Sequence, residues 1–253
     1  MVDSPHAAYC FFQDIEPRSP LSAVFERDYL LYAVKGALNI TIDKQSWLLP
    51  PSFAAWIPAN TAFIVDIAKP VTSCSVLIRP QFCTNFPEQP SVFQMSELAC
   101  GMIQHCKRWG AEDVHPPEAE VFFLALLNLC ADLVDISVDV RRPYSHEPSI
   151  QKALQISEGR LEEALKAADV AKAANLSERT MQRRFSDSLG MTWSQALSRL
   201  RMIKAIELLS DTSLSIIQVA GYCGFTSLSA FNRAFLSFAD TTPSEFRKRL
   251  QGY

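Results

Sequence analysis

The sequence predicts an α+β protein of two domains, a β-rich front half followed by an all-helical rear half. Three observations carry this. Between residues 21 and 79, short runs rich in Val, Ile and aromatic residues alternate with turn signals. From residue 149 onward the apolar spacing is helical and the helix starts are well marked. The charge divides at the same place: residues 1–147 hold 10 Lys+Arg against 17 Asp+Glu, and residues 148–253 hold 14 against 10. An acidic half joined to a basic half suggests different partners, the second half being the one suited to phosphates.

The six predicted strands are YLLYAVK, ALNITID, SWLLP, FAAWIP, TAFIVDIA and TSCSVLIR. Lys35-Gly36, Asp43-Lys44, Pro50-Pro51, Pro58-Ala59-Asn60 and Lys69-Pro70 separate them. LNITID alternates cleanly, with Leu38, Ile40 and Ile42 on one face. Short strands at this spacing predict a small antiparallel barrel or sandwich. Helices are expected over about 92–136, in SELACGMIQHCKRW and EAEVFFLALLNLCADLVDI. The second is apolar almost all round, so it either packs on the barrel or forms a dimer seam, and the seam is the favoured reading. DVRRPYSHEP, residues 139–148, has two prolines and no periodicity and reads as a linker. This leaves a front domain over 1–138 and a rear domain over 149–253.

Several classes of function are disfavoured. No run of about 18 apolar residues exists, so no membrane span is expected. MVDSPHAAYCFFQDIEP lacks the basic start and apolar stretch of a secretory signal, and a cytoplasmic protein is expected. Seven irregularly spaced cysteines fit reduced thiols. No nucleophile motif, phosphate-cradling glycine loop or paired catalytic carboxylates stand out, so neither an enzyme nor a cofactor is expected. The histidines are His6, His105, His115 and His146, none of them in the strand region, which argues against an imidazole metal centre there. Cys100, His105 and Cys106 cluster at spacings poor for zinc and read as inert helix residues before metal ligands. Cys74 and Cys83 flank the end of the last strand, either as a redox pair or as small buried apolar groups. Tyr29, Tyr32, Trp47, Trp56 and Phe63 either line an apolar effector pocket or form barrel core, core being the plainer reading.

The rear half carries the functional signal. SIIQVAGYCGFTSLSAFNRAF reads as helix, tight turn, helix, with Gly224 supplying the turn. The first helix is expected to bury Ile217, Val219 and Ala220, and the second Ala230, Phe231, Ala234 and Phe235. At about 100° per residue, Leu228, Ser229, Asn232 and Arg233 share one outward arc. DVAKAANLSERTMQRRFSDSLG repeats the design over about 165–187. Asn175 sits at the left-handed turn position, Ser177 caps, and Met181 and Phe185 point inward. Arg179, Gln182, Arg183 and Ser186 share the opposite arc. Gln pairs bidentately with adenine and Arg with guanine, so these faces suit direct readout of double-stranded DNA in a major groove. Ser177 and Thr226 open the two candidate recognition helices, 49 residues apart. A linker helix from Thr192 to about Leu209, with Leu197, Leu200, Ile203 and Ile206 as core, is long enough to place the second unit (about 215–236) most of a DNA turn away.

LSERTMQRRF, RLRMIKAIELL, SIIQVAGYCGFTSLSAFNRAF and TTPSEFRKRL resemble the DNA-binding domain of the AraC/XylS family of bacterial transcription regulators. The resemblance covers residues 164–250. It implies that Arg179, Gln182, Arg183, Leu228, Ser229, Asn232 and Arg233 face base edges, and that Thr180 and Arg184 touch phosphate. YAVKGALNITIDKQSWLLPPSFAAWIPANTAF is more loosely similar to the family's cupin-like β-barrel domain for effector binding and dimerisation. Many relatives carry histidines where this chain has RDYLLY and NTAFIV, which have none. The family implies a homodimer, RNA polymerase as partner, a small-molecule effector and activation more than repression. The alternative from another class is a protein-interaction module or dimeriser on the same scaffold without specific DNA binding.

Overall fold

The computed structural model describes residues 4–43, 45–134, 138–209 and 213–251. They form two compact units, meeting in sequence between Val140 and Arg141.

The front unit is built from nine strands: β1 (Ala8–Ile15), β2 (Arg18–Ala23), β3 (Asp28–Lys35), β4 (Leu38–Ile42), β5 (Gln45–Leu49), β6 (Phe53–Ile57), β7 (Phe63–Ile67), β8 (Val71–Ile78) and β9 (Ser91–Gln94). One sheet runs β1-β8-β3-β6-β9 and the other contains β5-β4-β7-β2 in that order. The resolved pairings are antiparallel. The two sheets meet through aromatic rings: Tyr29 on β3 lies 5.8 Å from Phe63 on β7, and Phe25 lies edge-on to both. Leu38, Ile40 and Ile42 are buried, as the alternation of LNITID requires. β1, β2 and β9 lie outside the predicted strands. β1 has its buried residues side by side, Ala8 to Cys10, followed by exposed ones, so no period of two marks it. Its register is supplied by β8, from Ala8 opposite Ile78 to Ile15 opposite Val71.

The expected helical region opens instead with β9, and then gives α1 (Glu97–His105) and α2 (Glu118–Val134). Both pack on the outer face of the first sheet. Ile103, Phe123, Leu126 and Leu127 share a core with Leu30, Tyr32, Trp56 and Val76. The opposite face of α2 leaves Val121 and Leu124 exposed. Residues 135–136 of the predicted helix lie outside the described residues.

The rear unit has seven helices: α3 (Pro148–Glu158), α4 (Ala167–Ala173), α5 (Glu178–Leu189), α6 (Trp193–Leu209), α7 (Ile216–Tyr222), α8 (Leu228–Ala239) and α9 (Pro243–Gln251). The stretch read as an unstructured linker contains a two-residue strand, Arg141–Arg142, and the first turn of α3 begins at its last residue. α6 is the spine. Its Leu197, Leu200, Ile203 and Ile206 are all buried. Trp193 donates its indole N–H to Ser157 Oγ at 2.9 Å, tying α6 to α3.

Three helix starts carry reciprocal caps. Gln195 N–H donates to Thr192 Oγ1 at 3.2 Å while Thr192 N–H donates to Gln195 Oε1 at 2.8 Å. Ser215 with Gln218, and Thr242 with Glu245, repeat this. Each satisfies backbone donors that the first helical turn leaves free. α7 has only seven residues and carries a complete capping box. Ser215→Ala is therefore expected to lower stability by about 1 kcal/mol, read as faster amide exchange confined to α7 and its turn.

Candidate nucleic-acid interface

The two helix-turn-helix units are built by the same local devices. In the first, α4 ends at Ala174, and Asn175 takes a φ of 61°. Leu176 N–H donates to Ala171 O at 2.8 Å, which closes the turn. Ser177 then caps α5, accepting from Thr180 N–H at 3.1 Å. In the second, Gly224 takes a φ of 74° and Phe225 N–H donates to Ala220 O at 3.0 Å. The cap of α8 is Ser227, accepting from Ala230 N–H at 3.2 Å, and not Thr226. The second turn thus has one more residue than the first. The caps, Ser177 and Ser227, stand 50 residues apart.

That offset of 50 brings the two units into register. Met181 and Phe185 on α5 correspond to Phe231 and Phe235 on α8, all fully buried. Both helices end on a left-handed residue, Gly190 with φ 65° and Asp240 with φ 52°. The Thr192–Gln195 box that opens α6 corresponds to the Thr242–Glu245 box that opens α9. On the outward faces the matched pairs are Arg179 with Ser229, Gln182 with Asn232, and Arg183 with Arg233. The three pairs hold, in that order, the second, fifth and sixth positions after the caps. All are exposed except Gln182, which is half-buried. Leu228 is 40% exposed at the start of α8.

The flanking residues differ. Arg184 is ion-paired with Glu147 and donates to Ser149 Oγ at 3.1 Å, so its guanidinium is held against the start of α3. Thr180 Oγ1 lies 2.7 Å from the capping Ser177 Oγ. Ile217, expected to be buried, is 65% exposed. The short helix is phased by Val219, Ala220 and the following Cys223, which turns Ile217 outward.

The turn of the second unit is buttressed from below. Arg201 on α6 donates to Leu161 O at 3.1 Å and to Glu163 O at 2.8 Å, and lies over the Phe225 ring at 5.8 Å. Burial lowers the pKa of this guanidinium, yet it stays charged at any ordinary pH. Nothing in the residue pattern signals this contact between segments 40 residues apart. A cavity of about 470 Å³ also opens in this unit, lined by Arg142, Glu158, Leu200, Ile203, Lys204 and Tyr222 among others. None of the outward-facing residues of α5 and α8 lines it.

The five aromatics read as an effector pocket do not share one face. Tyr29 and Phe63 lie between the sheets, where Tyr29 O–H donates to Ser75 Oγ at 3.2 Å and burial pushes the phenol up to about 12. Tyr32 and Trp56 lie on the helix side, Trp56 stacked on Phe86 at 3.9 Å. Trp47 is buried on β5. Of the Cys/His cluster, His105 packs against Phe122 and Trp109, and Cys106 is buried. Unsignalled in the sequence, His6 and His115 stack at 3.5 Å. Among the described residues no helix is long and apolar enough to cross a membrane.

Two matched helix pairs around a central helix define a tandem helix-turn-helix domain, and a family model described as a helix-turn-helix domain matches residues 170–249. The HTH-type transcriptional regulator GbdR of Pseudomonas aeruginosa is 33% identical over 104 residues, 41% of this chain and 28% of that protein. The HTH-type transcriptional regulator NimR of Escherichia coli K12 is 23% identical over 247 residues, 96% of this chain and 88% of that protein. A crystal structure of a Chromobacterium violaceum transcriptional regulator, described as AraC-type DNA-binding domain-containing, is 33% identical. It covers 42% of this chain and 96% of that one, with a TM-score of 0.40. The rear unit of this chain is the helix-turn-helix domain of the AraC/XylS regulators. The matches take in 28% of GbdR and 33% of the ArgR regulator of the same organism, so this chain spans a third or less of those proteins.

Proposed function

We propose that this protein is a sequence-specific DNA-binding transcription regulator whose α5 and α8 enter two successive major grooves. The observation that carries the reading is the matched pair of outward stripes, Arg179-Gln182-Arg183 and Ser229-Asn232-Arg233. Each stands on a helix whose opposite face is clamped by buried aromatic or sulfur-bearing side chains. A helix held by its back offers its front to base edges without rearrangement. α6, 17 residues long, is about 25 Å in length and separates the units by a distance comparable to one DNA turn. Leu228 supplies an apolar contact suited to a thymine methyl.

Thr180 and Arg184 are assigned to phosphate. Glu147 and a phosphate would compete for the Arg184 guanidinium. Arg184→Ala is expected to lower affinity alike for specific and random duplexes, with the salt slope smaller by about one. The partly exposed ion pair contributes at most about 1 kcal/mol to stability. Titrations of both duplexes over a range of salt read this directly.

The front unit would dimerise and take a small effector. The exposed Val121 and Leu124 on α2, with Leu98 on α1, support a seam through these helices. Of the five aromatics, Tyr29 and Phe63 are assigned to the effector site, because their rings lie 5.8 Å apart between the sheets. In the cytoplasm the dimer would act on promoters by recruiting RNA polymerase, as an activator. The test is to incubate purified protein with sheared DNA from its own genome at near-physiological salt, then sequence what is recovered. Enrichment of a few promoter-proximal sites supports regulation. Uniform recovery that vanishes as salt rises would mean phosphate attraction alone and would leave an interaction module as the better reading.

A further inference from the structure

We propose that Cys10 and Cys74 are a disulfide site, two thiols on neighbouring strands of the front unit that a peroxide joins. Their sulfurs lie 3.5 Å apart. Cys10 stands opposite Val76 and Cys74 opposite Phe12, so the two cysteines are diagonal neighbours on one face of the β1–β8 pair. A disulfide needs an S–S separation of about 2.05 Å. β1 is the edge strand of its sheet, beside β8, and Cys10 N–H donates to Trp109 O at 2.7 Å, so the gap closes by rotation of the two cysteine side chains with a small shift of β1. Cys83, read with Cys74 either as a redox pair or as a small buried apolar group, lies elsewhere, with its Sγ 3.9 Å from Asn128 Oδ1.

The surroundings distinguish the two thiols. Cys74 donates its S–H to Ile103 O at 3.2 Å, which leaves Cys10 as the donor between the two sulfurs; that contact and the positive charge of Lys107 lower the Cys74 thiol. The same hydrogen bond and burial raise Cys10. Both sulfurs are buried, Cys74 completely, so a peroxide reaches them only when β1 opens from β8; Cys74, the acceptor of the S–H···S contact, is then assigned as the attacking sulfur. Its thiolate attacks a peroxide oxygen; the S–O bond forms, the O–O bond breaks, and hydroxide leaves as water after taking a proton. Cys10 then loses its proton and attacks the sulfenic sulfur. The S–S bond forms, the S–O bond breaks, and a second water leaves. Two thiols and one hydrogen peroxide give one disulfide and two waters. The product fastens the edge strand β1 to β8.

The experiment uses the reduced full chain, a small molar excess of hydrogen peroxide, alkylation, and mass spectrometry of peptides prepared without reductant. The expected result is a linked species joining the Cys10 and Cys74 peptides, lighter by two hydrogens and lost on adding dithiothreitol. Cys83→Ser should keep the link. Cys10→Ser, checked for its fold by circular dichroism, should leave a Cys74 sulfenic acid that dimedone traps. Both thiols still reduced after peroxide, or Cys74 joined to Cys106 or Cys83 instead, would overturn the proposal. The wild-type peptide map decides this even if a variant does not fold.

Discussion

Replacing both Arg183 and Arg233 with alanine is expected to abolish specific binding at the operator while leaving the fold intact. Each arginine stands at the sixth position after its cap, exposed on a helix with a fully buried back. A bidentate arginine–guanine contact discriminates by about 1–3 kcal/mol, so each single variant should lose about 5- to 150-fold in affinity. The two positions lie on separate helix pairs and share no contact partner among the described residues, so the losses should add, giving at least about thirty-fold for the double variant. Affinity for a random duplex should fall far less. The check is a titration at fixed salt, with thermal unfolding of each variant alongside. Unchanged promoter affinity in both single variants would mean that the reading faces are wrongly assigned.

Gly224→Ala should be the most destabilising small change in the rear unit. The residue has a φ of 74°, a conformation that costs an alanine about 1–2 kcal/mol. A Cβ there would also stand 2.2 Å from Leu161 O and 2.5 Å from Arg201 Nη2. The carbonyl is backbone and cannot swing aside, and Arg201 is already committed to Leu161 and Glu163. A total of about 3 kcal/mol is expected. Gly190 is the internal control. Its φ is 65°, but an added Cβ would meet nothing within 4 Å, so Gly190→Ala should show only the conformational part. Urea titrations of the two variants, followed by amide exchange in α7 and α8, separate the two contributions. Equal losses would show that the close approach does not matter.

Much of the rear unit was legible because its punctuation is local. Asn175 and Gly224 mark left-handed turns, and hydroxyl-to-Gln or -Glu spacings of three mark helix starts, wherever the helices later pack. The outward stripes followed from the inward ones at a fixed 100° per residue. What stayed hidden was set by distant partners. β1 exists because β8 offers it an edge, and AYCFFQDI has no alternation of its own. Arg184 is held by residues 35 and 37 positions away, and Arg201 by residues about 40 positions away. Cys74 finds Cys10 across 64 residues, where sequence proximity had suggested Cys83. Tyr29 and Tyr32 are three apart on a strand and so must face opposite sides of their sheet, which bars a single pocket from holding both. Ile217 illustrates the weakness of short helices, where a seven-residue span fits more than one phase.

The most direct test of the two-groove reading is a hydroxyl-radical footprint of the protein on a site recovered from its genome. Two protected windows on the same face of the duplex, about 10 base pairs apart, are expected. The window contacted by α8 should be lost in Arg233→Ala, and the one contacted by α5 in Arg183→Ala. A single window, or two windows that fade together in either variant, would contradict the assignment of one groove to each helix-turn-helix unit.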